Sequence, residues 1–507
     1  MQPTGIVKGV VSSIRKRLFV FCDGTWQDGV NSKRPLTNVA TLARCLEGVA
    51  DDNYLQLVYY DNGVGNATSL STQIVDGATG RGISNKIKNA YSFLSHNYDF
   101  NVEGDEIFLI GYSRGAFTVQ CLASFISRTG LLRQRHLYYL GGLFKLWAHH
   151  NIAVVGNSEC RPLEGELDRH VRMFQAEKLL YKVKIKACAV WDTVSSLGLP
   201  RPWPKPFSFV GNTIPHAVEN AFQALALDET RAQFEPCIWK RAEGADTNAK
   251  QCWFLGSHAD VGGNGDAALG AVTLVWIVAQ LQEIVPGLNF NHDEIAKHLK
   301  HRLLEWNINI NPIIGQIKRT AILSTRSSSG LSTRSSPLWW LSGFKRREID
   351  MESECNESDS QRLELVHFTV RLAMIQNRNR CRVLRKWTTR LDDRGRVYWE
   401  RGNKTLGEDT LTENDAGPGP EYALLKSWCD DDPPLLRTDR SEFASRVHAL
   451  VYDPVEGIEA KLGRFATFLG EYMILQNNHL APNSMYYGLS KQPKGFSASS
   501  NSRSQAP

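Results

Sequence analysis

Glu106-Ile107-Phe108-Leu109-Ile110-Gly111-Tyr112-Ser113-Arg114-Gly115-Ala116-Phe117 sets an unbroken apolar run against a serine held between two glycines. Continuous apolar residues are what a parallel strand buried on both faces requires. Beyond them Phe117, Val119, Leu122, Phe125 and Ile126 recur at helical spacing and stop before Gly130, as in a packed helix with a glycine at its end. Gly111, Tyr112, Ser113 and Gly115 fall in the turn between, and a side chain on either glycine would strike the neighbouring strand or helix. Strand, G-x-S-x-G and helix together make the setting of a nucleophile elbow, with Ser113 strained and exposed at a strand tip. The competing reading is a tight turn with no chemistry, because three fixed residues recur by chance in long chains.

Working outward, other apolar runs end in polar residues. Leu18-Phe19-Val20-Phe21-Cys22 stops at Asp23-Gly24-Thr25-Trp26, residues 183–191 stop at Asp192-Thr193-Val194, and Cys252-Trp253-Phe254-Leu255 leads into Gly256-Ser257-His258-Ala259-Asp260. Residues 55–60 read as a further strand, and 37–46 (Asn38 as cap), 85–98 and 216–228 as helices. Alternating β and α predicts a mainly parallel central sheet with helices on both faces, an α/β fold whose ligands bind at the C-terminal strand edge. Residues 131–180, rich in His, Tyr, Trp and Arg, predict a helical, cap-like insertion.

The chain has 507 residues, enough for a large core with insertions or a second domain. A net charge of +6 over that length gives no reason to expect a nucleic-acid partner. Ten scattered cysteines without a C-x-x-C pair fit reduced core thiols, and residues 1–9 lack an apolar signal core, so a cytoplasmic, reducing setting is expected. The longest apolar stretch, 267–281, is shorter than the roughly 20 residues of a membrane span, so a buried helix is expected and no transmembrane segment. No ligand spacing marks a metal site, His136, His149 and His150 included, and no cofactor is expected. Gly77-Ala78-Thr79-Gly80-Arg81-Gly82 lacks the Lys-Ser/Thr of a phosphate loop and reads better as an active-site loop than as a nucleotide cradle.

Past residue 323 the character changes. Residues 324–362 read as a low-complexity, largely disordered insert, 363–490 as a C-terminal α/β extension with a hairpin over 386–401, and 491–507 as a disordered tail; residues 1–16 form an N-terminal arm and 17–323 the main domain. Within the insert, Trp339-Trp340 followed by Lys345-Arg346-Arg347 reads either as a tryptophan pair packed on the domain or as a peripheral membrane contact. Ile458, Leu462, Phe465, Leu469 and Tyr472 share a helical face suited to a core or a partner.

A serine hydroxyl needs a histidine to take its proton and a carboxylate to orient that histidine. Ser113, Asp192 and His258 supply these in the chain order of an α/β-hydrolase. Alternatives stay open at this point: Asp260 in place of Asp192, and His367, if residues 363–370 form a later strand, in place of His258. The backbone N–H of Arg114 and that of Gly24 or Thr25 are candidate oxyanion donors, with Asp23 turned away to hold its loop.

In order, Phe21 to Trp26, Tyr60 to Gly65, Gly104 to Ala116, Val190 to Val194 and His258 to Gly263 resemble the motifs of the type VI secretion phospholipase-effector-like α/β-hydrolases, over about residues 17–281. The resemblance implies a serine-dependent lipase or phospholipase cleaving acyl esters through Ser113, Asp192 and His258. The cysteine pattern and the long C-terminal part suit a fungal-type intracellular member better than an injected toxin. A non-enzymatic interaction or regulatory protein that keeps the fold is the alternative, and the sequence leaves the oligomeric state open.

Overall fold

The computed structural model describes residues 14–24, 36–63, 81–101, 104–150, 164–194, 207–291, 294–295, 344–347, 349, 363–376, 381–392, 397–409, 412–413, 417–418 and 420. Residues 1–13 of the N-terminal arm, Thr25, most of the glycine-rich loop before residue 81, Trp339-Trp340, the helical stripe over 458–472 and the tail lie outside them.

Three apolar runs, β1 (Lys16–Cys22), β2 (Leu55–Asp61) and β3 (Glu106–Tyr112), lie side by side with β1 in the middle, all parallel. The pleat sends Leu18, Val20, Ile107 and Leu109 to one face and Phe19, Phe21, Phe108 and Ile110 to the other. On the first face pack α2 (Arg81–Asn97) and α3 (Arg114–Thr129), with α4 (Leu140–His150) and α5 (Glu164–Ala176) outside them. The second face is covered by α1 (Asn38–Cys45) and α7 (Ala267–Ile284). β1 and β3 are therefore buried on both faces, as inner parallel strands require, while the edge strand β2 stays partly exposed.

From β3 the sheet grows by β4 (Ile185–Trp191), β5 (Val218–Ala226), β6 (Asn248–Phe254) and β7 (Glu364–His367), each parallel to the last. The strands β8 (Thr388–Leu391), β9 (Val397–Arg401) and β10 (Lys404–Asp409) finish it, with β10 parallel to β7 and the two remaining pairings antiparallel. The ten-stranded order is β8-β9-β10-β7-β6-β5-β4-β3-β1-β2. The chain turns from β1 to β2 on one side and returns to β3 on the other, so the crevice between the tips of β1 and β3 is a topological switch point. That is where Asp23-Gly24 and Ser113 lie.

Residues 131–180 are helical over most of their described length, as expected. The expected helix over 216–228 is instead β5, which forms the ladder between β4 and β6. Its residues, Val218 to Ala226, are buried at all positions but Glu219. A run without a polar face carries no period that separates a short strand from a buried helix, and the backbone pairing available on both sides decides it. Helix α1 is capped by Thr37, whose Oγ1 accepts from Ala40 N at 3.0 Å. Asn38, expected as the cap, donates through Nδ2 to Val261 O, Gly270 O and Thr273 Oγ1, tying α1 to the loop and helix beyond β6. Among the described residues no helix is long and apolar enough to cross a membrane.

Candidate active site at the strand tips

The elbow forms because α3 must start directly on the tip of β1. A Cβ on Gly115 would stand 2.1 Å from Cys22 O, and one on Gly111 would stand 2.7 Å from Ala116 Cα. With both glycines in place the turn closes on Ser113, at φ 58° and ψ −123°, a region non-glycine residues enter only under constraint. Its N–H donates to Trp191 O at 3.0 Å. Ser113 is strained as expected, but it is 3% accessible and so enclosed, where the sequence suggested exposure.

Asp192 follows β4 and is strained in the same way, at φ 46°. Its N–H donates to Ala224 O at 2.7 Å, and its Oδ1 accepts from Ala226 N at 3.0 Å, so the β5 tip holds it from two sides. His258 follows β6 and opens the one-turn helix α6 (His258–Val261). Asp260 fastens that turn: its Oδ2 accepts from Ser257 N and Oγ at 2.7 and 2.8 Å, and its Oδ1 from Asp266 N at 2.7 Å. Asp260 thus fastens the start of its own helical turn and does not reach a histidine ring.

The three tips meet through the His258 ring. Nδ1 lies 2.6 Å from Asp192 Oδ2 and Nε2 lies 2.8 Å from Ser113 Oγ. An ionised Asp192 can only accept, so Nδ1 carries the proton and Nε2 of the neutral ring accepts from the serine hydroxyl. Tyr112 stacks on one side of the ring at 4.8 Å and Phe234 contacts it at 4.6 Å, while the Tyr112 hydroxyl donates to His258 O at 3.1 Å. The ring is held in plane without any loss of its two nitrogens.

Asp192 has a second partner. Arg347 donates from Nη1 to Asp192 Oδ1 and from Nη2 to Asp192 Oδ2, the latter at 2.7 Å, and its remaining Nη donors reach Ala226 O and Phe234 O, each at 2.7 Å. Burial alone would raise the Asp192 pKa; the Arg347 charge and the hydrogen bonds from His258 and Arg347 outweigh it and hold the carboxyl well below the usual range. For His258, burial pulls the pKa below the ordinary value, Asp192 and Glu229 oppose it, and Arg347 adds to the lowering. Glu229 accepts from His258 N at 3.2 Å and from Arg231 at 2.7 Å. Burial would raise it, but the Arg231 hydrogen bonds and charge bring it to about 2.

Sequence reasoning missed Arg347 and Glu229. Arg347 stood in a basic run inside the stretch read as a disordered insert, yet residues 344–347 and 349 are described, with Arg347 7% accessible. Nothing in Lys345-Arg346-Arg347 marks which cation turns inward; that is decided by the buried carboxylate it meets.

At the β1 tip, Asp23 turns away from the serine as expected. Its Oδ1 accepts from Gly24 N at 2.6 Å and its Oδ2 from Thr37 Oγ1 and Tyr60 OH at 2.8 and 2.6 Å. Burial raises its pKa against those three hydrogen bonds. The Gly24 N–H is thereby committed to Asp23, which leaves Arg114 N–H at the start of α3 as the described donor beside Ser113. The Arg114 guanidinium has no hydrogen bond or ion pair among the described residues, and burial lowers its pKa to about 10. His367 ends β7 away from the serine, with Nδ1 2.7 Å from Thr369 Oγ1 and its ring packed on Phe254 and Phe368.

A mainly parallel sheet that gathers serine, aspartate and histidine from three strand tips, in that chain order, makes this an α/β-hydrolase-like protein. Residues 16–280 match the family described as type VI secretion system phospholipase effector Tle1-like, catalytic domain, and the chain belongs to that family. Over 240 residues it is 26% identical to an uncharacterized protein of Saccharomyces cerevisiae, YEL023C, across 44% of this chain and 33% of the yeast protein. It is similar to the solved structure of the Tle1 effector bound to the VgrG spike of the type 6 secretion system, at 16% identity and a TM-score of 0.27, across 49% of this chain and 51% of that one. The chain therefore matches about a third of the yeast protein and about half of the solved effector chain.

Proposed function

We propose that the protein is a serine-dependent ester hydrolase of the lipase or phospholipase type, with Ser113 as nucleophile, His258 as general base and acid, and Asp192 as the orienting carboxylate. The observation that carries this reading is the unbroken relay from Ser113 Oγ through His258 to Asp192, at 2.8 and 2.6 Å, on an elbow strained at its serine.

In this reading His258 Nε2 takes the Ser113 proton as Oγ attacks the acyl carbonyl, and the imidazolium formed is compensated by Asp192. The developing oxyanion is met by Arg114 N–H, with Thr25 N–H as the expected second donor. His258 returns the proton to the leaving alkoxide, then activates water to release the acyl group. Membership of a phospholipase effector family supports a lipid substrate. The half-buried Arg114 cation beside the nucleophile suits the phosphate of such a lipid, since a partly desolvated charge favours an anionic partner. Buried thiols such as Cys121 and Cys188, pushed up by burial, suit a reducing, cytoplasmic setting.

The test is labelling with a fluorophosphonate probe, followed by hydrolysis of a phospholipid panel. Wild type is expected to label at Ser113 and Ser113→Ala to stay unlabelled and inactive. A folded wild type that neither labels nor releases fatty acid would sink the proposal.

A further inference from the structure

We infer that Arg347 is a positioning residue of the catalytic centre: its guanidinium fork fixes the Asp192 carboxylate in the orientation and charge state that His258 requires. The inference rests on the reading of Ser113, His258 and Asp192 as a triad.

The geometry has the form of a clamp. A triad carboxylate needs one oxygen for its histidine, and the rest of its hydrogen-bonding capacity decides whether it can rotate. Here one fork spans both oxygens of Asp192, and the same two nitrogens are pinned by Ala226 O and Phe234 O at 2.7 Å. Asp192 Oδ2, the oxygen facing His258, therefore cannot swing away without breaking two charge-assisted bonds. Arginine suits this place because its planar donors match both carboxylate oxygens, which an ammonium cannot do.

The clamp is delivered by its own short anchor. Lys345 N donates to Thr230 O at 2.9 Å, Lys345 Nζ pairs with Glu235 at 2.5 Å, and Phe344 bridges Arg231. The loop it grips, between β5 and β6, also supplies Phe234 to the His258 ring and Glu229 to the His258 N–H. Arg347 thus acts on the histidine from two directions, through the carboxylate and through the loop. It lies beyond the residues matched to the family, 16–280, so the aspartate's second partner comes from the part of the chain that the family description leaves out.

The charges facing His258 give this role a signature. They are Asp192 and Glu229, which favour the imidazolium, and Arg347, which opposes it; Arg231 is paired to Glu229, and the neutral Tyr112 ring stacks alongside. With Asp192 ionised, removing the Arg347 charge leaves the imidazolium better stabilised. The histidine then protonates at higher pH.

The experiment uses the full chain with Arg347→Gln and Arg347→Lys. Active serines are titrated with a fluorophosphonate, and turnover of p-nitrophenyl butyrate per titrated serine is followed over about pH 5 to 9. Arg347→Gln is expected to lose roughly 10- to 100-fold in kcat per serine, the scale of lost outer-shell support, and to shift the acidic limb of kcat/KM to higher pH. Arg347→Lys keeps the charge without the fork, so kcat falls while the limb stays near that of wild type. A purely structural role predicts fewer titratable serines and a lower Tm, with wild-type turnover and an unmoved limb for each serine that remains; that result overturns the inference. A wild type that neither labels nor turns over overturns the triad reading first, and the inference with it.

Discussion

Ser113 and Asp192 leave adjacent strands one residue past the register pair Tyr112 and Trp191, and both take positive φ, 58° and 46°. The serine's backbone is tied to residues flanking Asp192: Ser113 N donates to Trp191 O at 3.0 Å and Val194 N to Ser113 O at 3.4 Å. Two strained non-glycine residues, typically about 1–3 kcal/mol each, are thus concentrated on one pair of strand tips.

Relieving one of them separates stability from chemistry. Ser113→Ala and Ser113→Gly both lose the hydroxyl, but only glycine accepts the elbow dihedrals without strain. Ser113→Gly is expected to be the more stable of the two by roughly 1 kcal/mol, the strain relief outweighing glycine's greater unfolded entropy. Parallel denaturant titrations measure the difference, and both variants should be inactive.

Asp192→Asn attacks the relay and the clamp together. Asparagine leaves the histidine without its ionised acceptor, and turnover is expected to fall by about 10⁴-fold, the scale of the wrong tautomer in such triads. It also strands the Arg347 charge in the interior, a loss of roughly 3–5 kcal/mol when one partner of a buried pair is removed. The double variant Asp192→Asn with Arg347→Met should recover much of that stability and none of the activity; chemical denaturation of the four-member cycle reads the coupling.

The pH profile follows from the direction of the His258 shift. A lowered pKa keeps the ring neutral, hence able to accept the serine proton, at pH values where an ordinary histidine of about 6.5 is already protonated. The acidic limb of kcat/KM is therefore expected below about 6.5, with activity lost as pH falls through the folded value. A limb at or above the ordinary value contradicts burial as the dominant influence on His258.

His367 offers a direct discrimination between the two histidines named from sequence. Its Nδ1 pairs with Thr369 and its ring lies between Phe254 and Phe368, so His367→Phe should keep turnover per titrated serine within a few-fold, taking about threefold as the limit for a change outside the relay. His258→Phe should abolish it. Probe labelling of both variants reports the outcome in one gel.

Arg114 tests the substrate class. Arg114→Gln keeps the backbone N–H proposed to meet the oxyanion and removes the half-buried cation. The variant is expected to lose roughly tenfold or more in kcat/KM on an anionic phospholipid, the lower end for a charged hydrogen bond, and much less on a neutral acylglycerol. Equal losses on both would remove the phosphate from the proposal.

The placement of Ser113 and Asp192 was legible because each is the first polar residue past an apolar strand end, and that of His258 because it lies in the glycine-bounded loop just beyond β6. Geometry added what composition cannot encode: that Asp260 spends both oxygens on its own loop, and that Gly24 N–H is taken by Asp23. The run Val218 to Ala226 was misread because a segment buried on both faces has no amphipathic period, and its identity as β5 is written in its neighbours. Arg347 was illegible for a related reason. Its role depends on meeting a carboxylate 155 positions earlier in the chain, a pairing that no local spacing records.

That separation also orders events in time. Ribosomal synthesis delivers the serine, the aspartate and the histidine before it delivers the arginine, so a nascent chain holds a buried anion still waiting for its counter-ion. On the proposed role of Arg347, full turnover is then reached late in translation, once the segment around residue 347 has emerged and docked.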